Sequence, residues 1–120
     1  SKTIKNAISI PIQSLVSRPK NYEELSEKDD FENDDVYSNL KEGIDVVFTL
    51  VDNFNGEKTA KDEKYAVVKP VDVGLSSENY YAVNDGVIEG DIIVTGRYRV
   101  LSKELQHGMK VSYKIESGSY

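Results

Sequence analysis

Residues 84–111, NDGVIEGDIIVTGRYRVLSKELQHGMKV, constrain the fold of this chain more than any other part, because glycine and acid interrupt them at strand-length intervals. Asp85 and Gly86 precede Val87 and Ile88; Glu89, Gly90 and Asp91 then lead directly into Ile92, Ile93, Val94 and Thr95, and Gly96 ends that run. Glycine supplies the positive φ of tight turns, and Asp-Gly between apolar runs marks a turn between strands. Gly86, Gly90, Asp91 and Gly96 are therefore read as shape residues. Beyond them the spacing predicts one helical turn over residues 102–106: Ser102 as its cap, Leu101 and Leu105 four apart on one side, and Gly108 as its stop. Met109, Val111, Tyr113 and Ile115 then alternate with Lys110, Ser112 and Lys114 in an amphipathic last strand, and residues 116–120 read as a frayed tail.

The rest of the chain speaks the same period-two language. Ile8, Ile10 and Ile12 alternate with Ser9, Pro11 and Gln13, so residues 1–17 read as one extended segment, with Pro11 at an edge, a bulge or a strand end because it cannot donate to a ladder. Val46, Phe48 and Leu50 alternate with Val47, Thr49 and Val51, apolar on both faces, as suits a central strand covered on both sides. Asn53, Asn55 and Gly56 make a turn. Residues 65–73 are extended, with Pro70 at an edge or bulge; Gly74, Ser76 and Ser77 turn the chain; residues 79–83 form a strand with Tyr81 and Val83 on one face. The expected fold is all-β: a small antiparallel β-barrel or β-roll with one short helical turn near the C-terminus.

Residues 19–43 break this pattern. They hold Glu23, Glu24, Glu27, Asp29, Asp30, Glu32, Asp34 and Asp35 around Lys28, and like charges repel, so a solvated, flexible insertion is expected. Asp30, Glu32 and Asp34 alternate as a calcium loop would begin, but the sixth position is Asp35 instead of glycine and the twelfth is Lys41 instead of glutamate. No metal site is expected. The net charge of −6 is concentrated early, with 12 acidic against 7 basic residues in the first sixty and 9 against 8 in the second. A chain without a basic field lacks the main source of nucleic-acid affinity, so an oligonucleotide-binding barrel is not expected. With no cysteine, thiolate sites and disulfides are excluded. No apolar run approaches the roughly 20 residues of a membrane helix, and the first residues lack the pattern of a signal peptide, so the chain reads as a soluble piece.

Catalytic chemistry has little to work with. His107 is the single histidine and reads as an exposed loop residue beside Gly108. Asp85, Glu89 and Asp91 are explained by turns, and no Lys-Ser or Lys-Thr follows the glycines of GVIEGD, so it is not a phosphate loop. Neither enzyme activity nor a cofactor is expected. The eight tyrosines are the one enrichment. Tyrosine joins apolar area to a polar tip and suits both sheet packing and interfaces.

Two stretches carry a resemblance. The order D-G-V-I-E-G-D-I-I-V-T-G over residues 85–96, followed by Leu101, Leu105, Gly108 and Val111, resembles the "sGLkeGDxVVxxG…L…GxxV" end of periplasmic adaptor proteins, the HlyD-like membrane fusion proteins of efflux pumps and export ABC transporters. KNAISIPIQSLVSRPK, residues 5–20, is similar to the same family's "nalxVPxqAv" segment, and FTLVDNFNGEKTAKDEKYAVVKPVDVGLSS, residues 48–77, to its "vvFvv.nGkA..rxVxtG". The matches lie in family order and cover residues 5–18 and 44–115. The chain departs from the pattern at Asn84-Asp85-Gly86, where serine-glycine-leucine is commoner, with Val87 in the place of that leucine.

The resemblance implies a division into a linking strand (1–18) between β-barrel and membrane-proximal domains, an acidic insertion (19–43) such as Bacteroidetes-like members carry, a membrane-proximal β domain (44–115) and a tail (116–120). It implies an excised C-terminal piece of a periplasmic protein anchored to the inner membrane, self-associating at full length. Its partners would be an inner-membrane transporter, of the resistance-nodulation-division or MacB-like ABC type, and a TolC-like outer-membrane channel reached by upstream domains. Arg97, Tyr98, Arg99 and Lys103 would form a loop facing the transporter, since arginine and tyrosine are typical interface anchors. The alternative is a stand-alone β-barrel that binds a ligand or carbohydrate on a tyrosine-lined face.

Overall fold

β3 (Gly43–Val51) organises the molecule. The computed structural model describes residues 8–24 and 43–112. Along one edge β3 pairs with β6 (Glu63–Pro70). Along the other it pairs first with β2 (Val16–Pro19) and then with the short β9 (Ile92–Ile93). β10 (Met109–Ser112) adds to the far side of β6, giving a five-stranded antiparallel sheet in the order β10-β6-β3-β2 with β9 beside β3. This sheet curls into a half-barrel. A second antiparallel sheet runs β1-β8-β7, from β1 (Ile8–Pro11), β8 (Tyr80–Asp85) and β7 (Asp72–Ser76).

The two-sided apolar pattern of β3 has a direct structural outcome. Val46 and Phe48 point into a core with Val16, Ala66, Val68, Leu101 and Leu105, beneath the helical turn Val100–Glu104. Val47 points the other way, into a core with Ile10 and Val87, flanked by Tyr81 and Val83 of β8 and by Val73 of β7. The molecule is thus a small all-β fold with a helical turn on one face of the central sheet and the three-stranded sheet on the other. Burying a side chain such as Phe48 contributes on the order of 1.5–3 kcal/mol, which makes this strand the energetic centre.

The turns follow their chemistry. Asn55 and Gly56 join β4 (Asn53–Phe54) to β5 (Glu57–Lys58) with φ of 50° and 83°, the two positive values of a type I′ hairpin turn. Pro11 and Pro70 end β1 and β6, where no further ladder bond is asked of them. After Pro70 the chain changes sheets, anchored by the Val71 N–H donating to the Asp45 carbonyl at 3.0 Å.

Three expectations need correction. Residues 1–17 are not one extended segment: among those described, a 3-10 turn at Ile12–Ser14 separates β1 from β2, which lie in different sheets. The Ser14 hydroxyl, donating to the Pro11 carbonyl at 2.7 Å, stabilises that break. Gly74 does not turn the chain; it lies inside β7, whose pairing with β8 is irregular there, and the turn comes at Ser77, whose N–H reaches the Tyr80 carbonyl. The helical turn runs over Val100–Glu104, and Ser102 is buried within it instead of capping it. Of the expected insertion 19–43, Pro19 ends β2, Tyr22–Glu24 form a 3-10 turn and Gly43 opens β3; residues 25–42, with the acidic run from Glu27 onward and Asp30, Glu32 and Asp34, lie outside the described residues, as do Tyr113, Ile115 and the tail.

Candidate functional site

The anchor of the site is an arginine that sequence reasoning passed over. Arg18, on β2, is only 1% exposed and lies with its guanidinium 5.1 Å from the centre of the Phe48 ring. Its Nε donates to the Leu101 carbonyl at 3.1 Å, Nη2 to the same oxygen at 2.6 Å and to the Leu105 carbonyl, and Nη1 to Gln106 Oε1 at 3.3 Å. Helix ends leave carbonyls without partners, and cations satisfy them well. Arg18 therefore does for the helical turn what a cap would do, across 83 residues of chain.

This explains why the predicted loop is helical. Leu101 N–H donates to the Arg97 carbonyl at 3.2 Å, and Leu105 N–H to the Val100 carbonyl at 2.8 Å, one residue longer than an α-helical bond. The wide turn lets both leucines reach the core over Phe48 while their carbonyls face Arg18. Tyr98 and Arg99 open the helical stretch instead of lying in a loop. Ser102 Oγ, inside it, and Thr49 Oγ1 are buried without a hydrogen-bond partner.

Arg97, Tyr98 and Arg99 are consecutive and all exposed, Tyr98 at 71%, so the structure presents three of the four anticipated interface residues together. Arg99 Nε also meets Glu104 Oε1 at 3.5 Å, a solvent-exposed pair of small energetic worth. Lys103 differs: it is half-buried, and its carbonyl accepts from Gln106 Nε2 at 2.9 Å.

The glycine-acid turns in front of this ridge divide by role. Gly86 has φ of 109°, and a Cβ there would fall 2.3 Å from the Pro70 carbonyl oxygen; Gly90 has φ of 98° in open space. Gly96 has neither a positive φ nor a close neighbour, so no turn geometry demands glycine there. Gly108, φ 86°, lies against the Phe54 ring beyond Leu105, where the chain is already extended; it shapes the entry to β10 and does not stop the helix.

Asp91 is more than a turn residue. Its Oδ2 accepts from the Ile88 N–H at 3.0 Å and from Lys69 Nζ at 2.7 Å, tying the turn to β6 just before β9. Burial alone would raise this carboxyl, but the Ile88 bond and the Lys69 ammonium outweigh it and hold it below the usual carboxylate range. A depressed folded value means the stabilisation is present above the ordinary 3.8 and lost as pH falls through the folded value. Asp91→Asn is expected to lower the unfolding free energy at neutral pH by about 1 kcal/mol, since Lys69 is partly solvated. In urea titrations the difference from wild type should close at pH below 3.8.

His107 also departs from expectation. It is half-buried, with edge contacts to Tyr22 (5.5 Å) and Phe54 (5.2 Å), and its Nδ1 accepts from the Val68 N–H at 2.9 Å. Among the described residues no group of three or more His, Cys, Asp or Glu side chains is placed to hold a metal ion, and no helix is long and apolar enough to cross a membrane. The chain matches no family model, no curated protein and no solved structure.

Proposed function

We propose that this chain is a non-enzymatic docking module, the membrane-proximal end of a periplasmic adaptor that grips an inner-membrane transporter and couples it to an outer-membrane channel. The transporter would be of the resistance-nodulation-division or MacB-like ABC type. The channel would be met by domains outside this sequence. The observation that carries the reading is that β1 pairs with β8, Ile8 opposite Val83 and Ile10 opposite Tyr81, the strand that leads into the glycine-acid motif, and that Ile10 shares a core with Val87 of that motif. An adaptor end-piece has to bring these segments together. Among the described residues β1 and β7 are also edges of their sheet, as suits a module continued by other strands.

The docking element in this reading is the ridge Arg97-Tyr98-Arg99. Its aromatic is exposed and its cations stand out on a chain of net charge −6. The other described tyrosines give little support to a carbohydrate-binding face, because Tyr65 is buried and Tyr22, Tyr80 and Tyr81 are half-buried. The test is capture of the transporter encoded beside the parent gene by the full-length adaptor. Arg97→Glu with Arg99→Glu is expected to weaken capture about tenfold or more, with the fold's stability changed by less than ~0.5 kcal/mol. Capture at wild-type strength would remove the ridge from the interface.

A further inference from the structure

His107 completes a ladder that its own strand leaves short. β10 pairs with β6 only as far as Met109 opposite Ala66, and the Gly108 N–H then donates to the Ala66 carbonyl at 2.7 Å. The Val68 N–H, further along β6, goes to the His107 ring. Nδ1 accepts only while it carries no proton, so this bond belongs to the neutral imidazole with its hydrogen on Nε2. Protonation would set two N–H groups against each other. Beside the ring, Tyr22 brings the turn Tyr22–Glu24 against it, with Glu23 next in the chain.

We propose that His107 is a pH-operated latch: neutral, it holds the Val68 N–H and closes the β10–β6 ladder; protonated, it releases Val68 and opens that ladder at its end. Through the edge contact of the ring with Tyr22, the latch touches both the edge of the central sheet and the turn Tyr22–Glu24.

Among the described residues the surrounding charges are few. The turn contributes Tyr22 and Glu23, and burial together with the neighbouring Glu23 carboxylate pushes the Tyr22 hydroxyl up. The β4–β5 hairpin presents the uncharged Phe54 ring. β6 contributes the Val68 amide and Tyr65, which packs on Phe54, while its Lys69 is committed to Asp91. Lys110 of β10 lies over Tyr65. Burial pushes the His107 imidazole below its ordinary 6.5, and the Glu23 carboxylate pulls in the opposite direction without cancelling it. With the folded value depressed, the neutral ring's stabilisation is complete above 6.5. It is lost as pH falls below 6.5, until the folded value is passed and both states are protonated.

The experiment follows the His107 ring protons and backbone amide exchange by NMR from pH 7.5 to pH 5. As the ring titrates, protection of the Val68 amide should fall about fivefold relative to the Phe48 amide, the worth of one hydrogen bond. In His107→Gln, whose side-chain oxygen accepts at every pH, that change should vanish. The latch is overturned if the ring stays neutral at pH 5, if Val68 and Phe48 protection change in parallel while it titrates, or if His107→Gln keeps the pH dependence.

Discussion

Arg18→Met is expected to lower the unfolding free energy by roughly 3–5 kcal/mol, a large share of the about 5–15 kcal/mol that holds a domain folded. Methionine keeps an unbranched apolar stem over Phe48 and loses every donor. The Leu101 and Leu105 carbonyls and Gln106 Oε1 would then face a buried gap where the guanidinium fork stood, and each buried polar group left without its partner costs about 1–3 kcal/mol. Part of that cost is recovered where the end of the helical turn relaxes toward water. Arg18→Lys should fall between the two, because a compact ammonium reaches one or two of those oxygens but cannot span them as a planar fork does. Urea unfolding followed by circular dichroism at constant pH measures both variants. A loss under ~1 kcal/mol for Arg18→Met would show that the helical turn does not depend on this side chain.

Gly86→Ala should be nearly as damaging, at about 3 kcal/mol. A non-glycine residue with left-handed φ costs roughly 1–2 kcal/mol, and forcing a methyl group against the Pro70 carbonyl and the Val71 backbone adds an overpacking penalty of about 1–3 kcal/mol. Two sister variants separate these causes. Gly90→Ala shares the positive φ without the collision and should cost about 1 kcal/mol; Gly96→Ala has neither and should be neutral to about 1 kcal/mol stabilising. Equal losses at all three positions would contradict the structural distinction between them.

Much of the β architecture was legible because its signals are local. The two-sided apolar run of β3, the Asn55-Gly56 turn, the shared face of Tyr81 and Val83, and the prolines at strand ends each depend on residues within a few positions of one another. What escaped notice depends on distance. An arginine in the run Val16–Pro19 reads as a solvated charge, and nothing nearby reveals that its acceptors lie 83 and 87 residues later. Without that knowledge Ser102 looks like a cap and Arg97-Tyr98-Arg99 like a loop. His107 misled for a similar reason, since its hydrogen-bond donor is 39 residues earlier in the chain. The identities of the ridge residues were visible in the sequence. Their presentation was not, because the helical turn behind them is held by packing on Phe48 and by Arg18 instead of by its own propensity.

The pairing of β1 with β8 and the reach of Arg18 to Leu101 also set a timetable for folding. The hairpin at Asn55-Gly56 closes a loop of two residues, whereas Ile8 must find Val83 and Arg18 must find Leu101 across most of the described chain. Closing long loops costs entropy before any contact repays it, and folding slows as native contacts become more remote in sequence. By the same reasoning the β3–β6 pair, closed by a short loop, is expected to condense early around Phe48, and β1, which must reach Val83, to dock late.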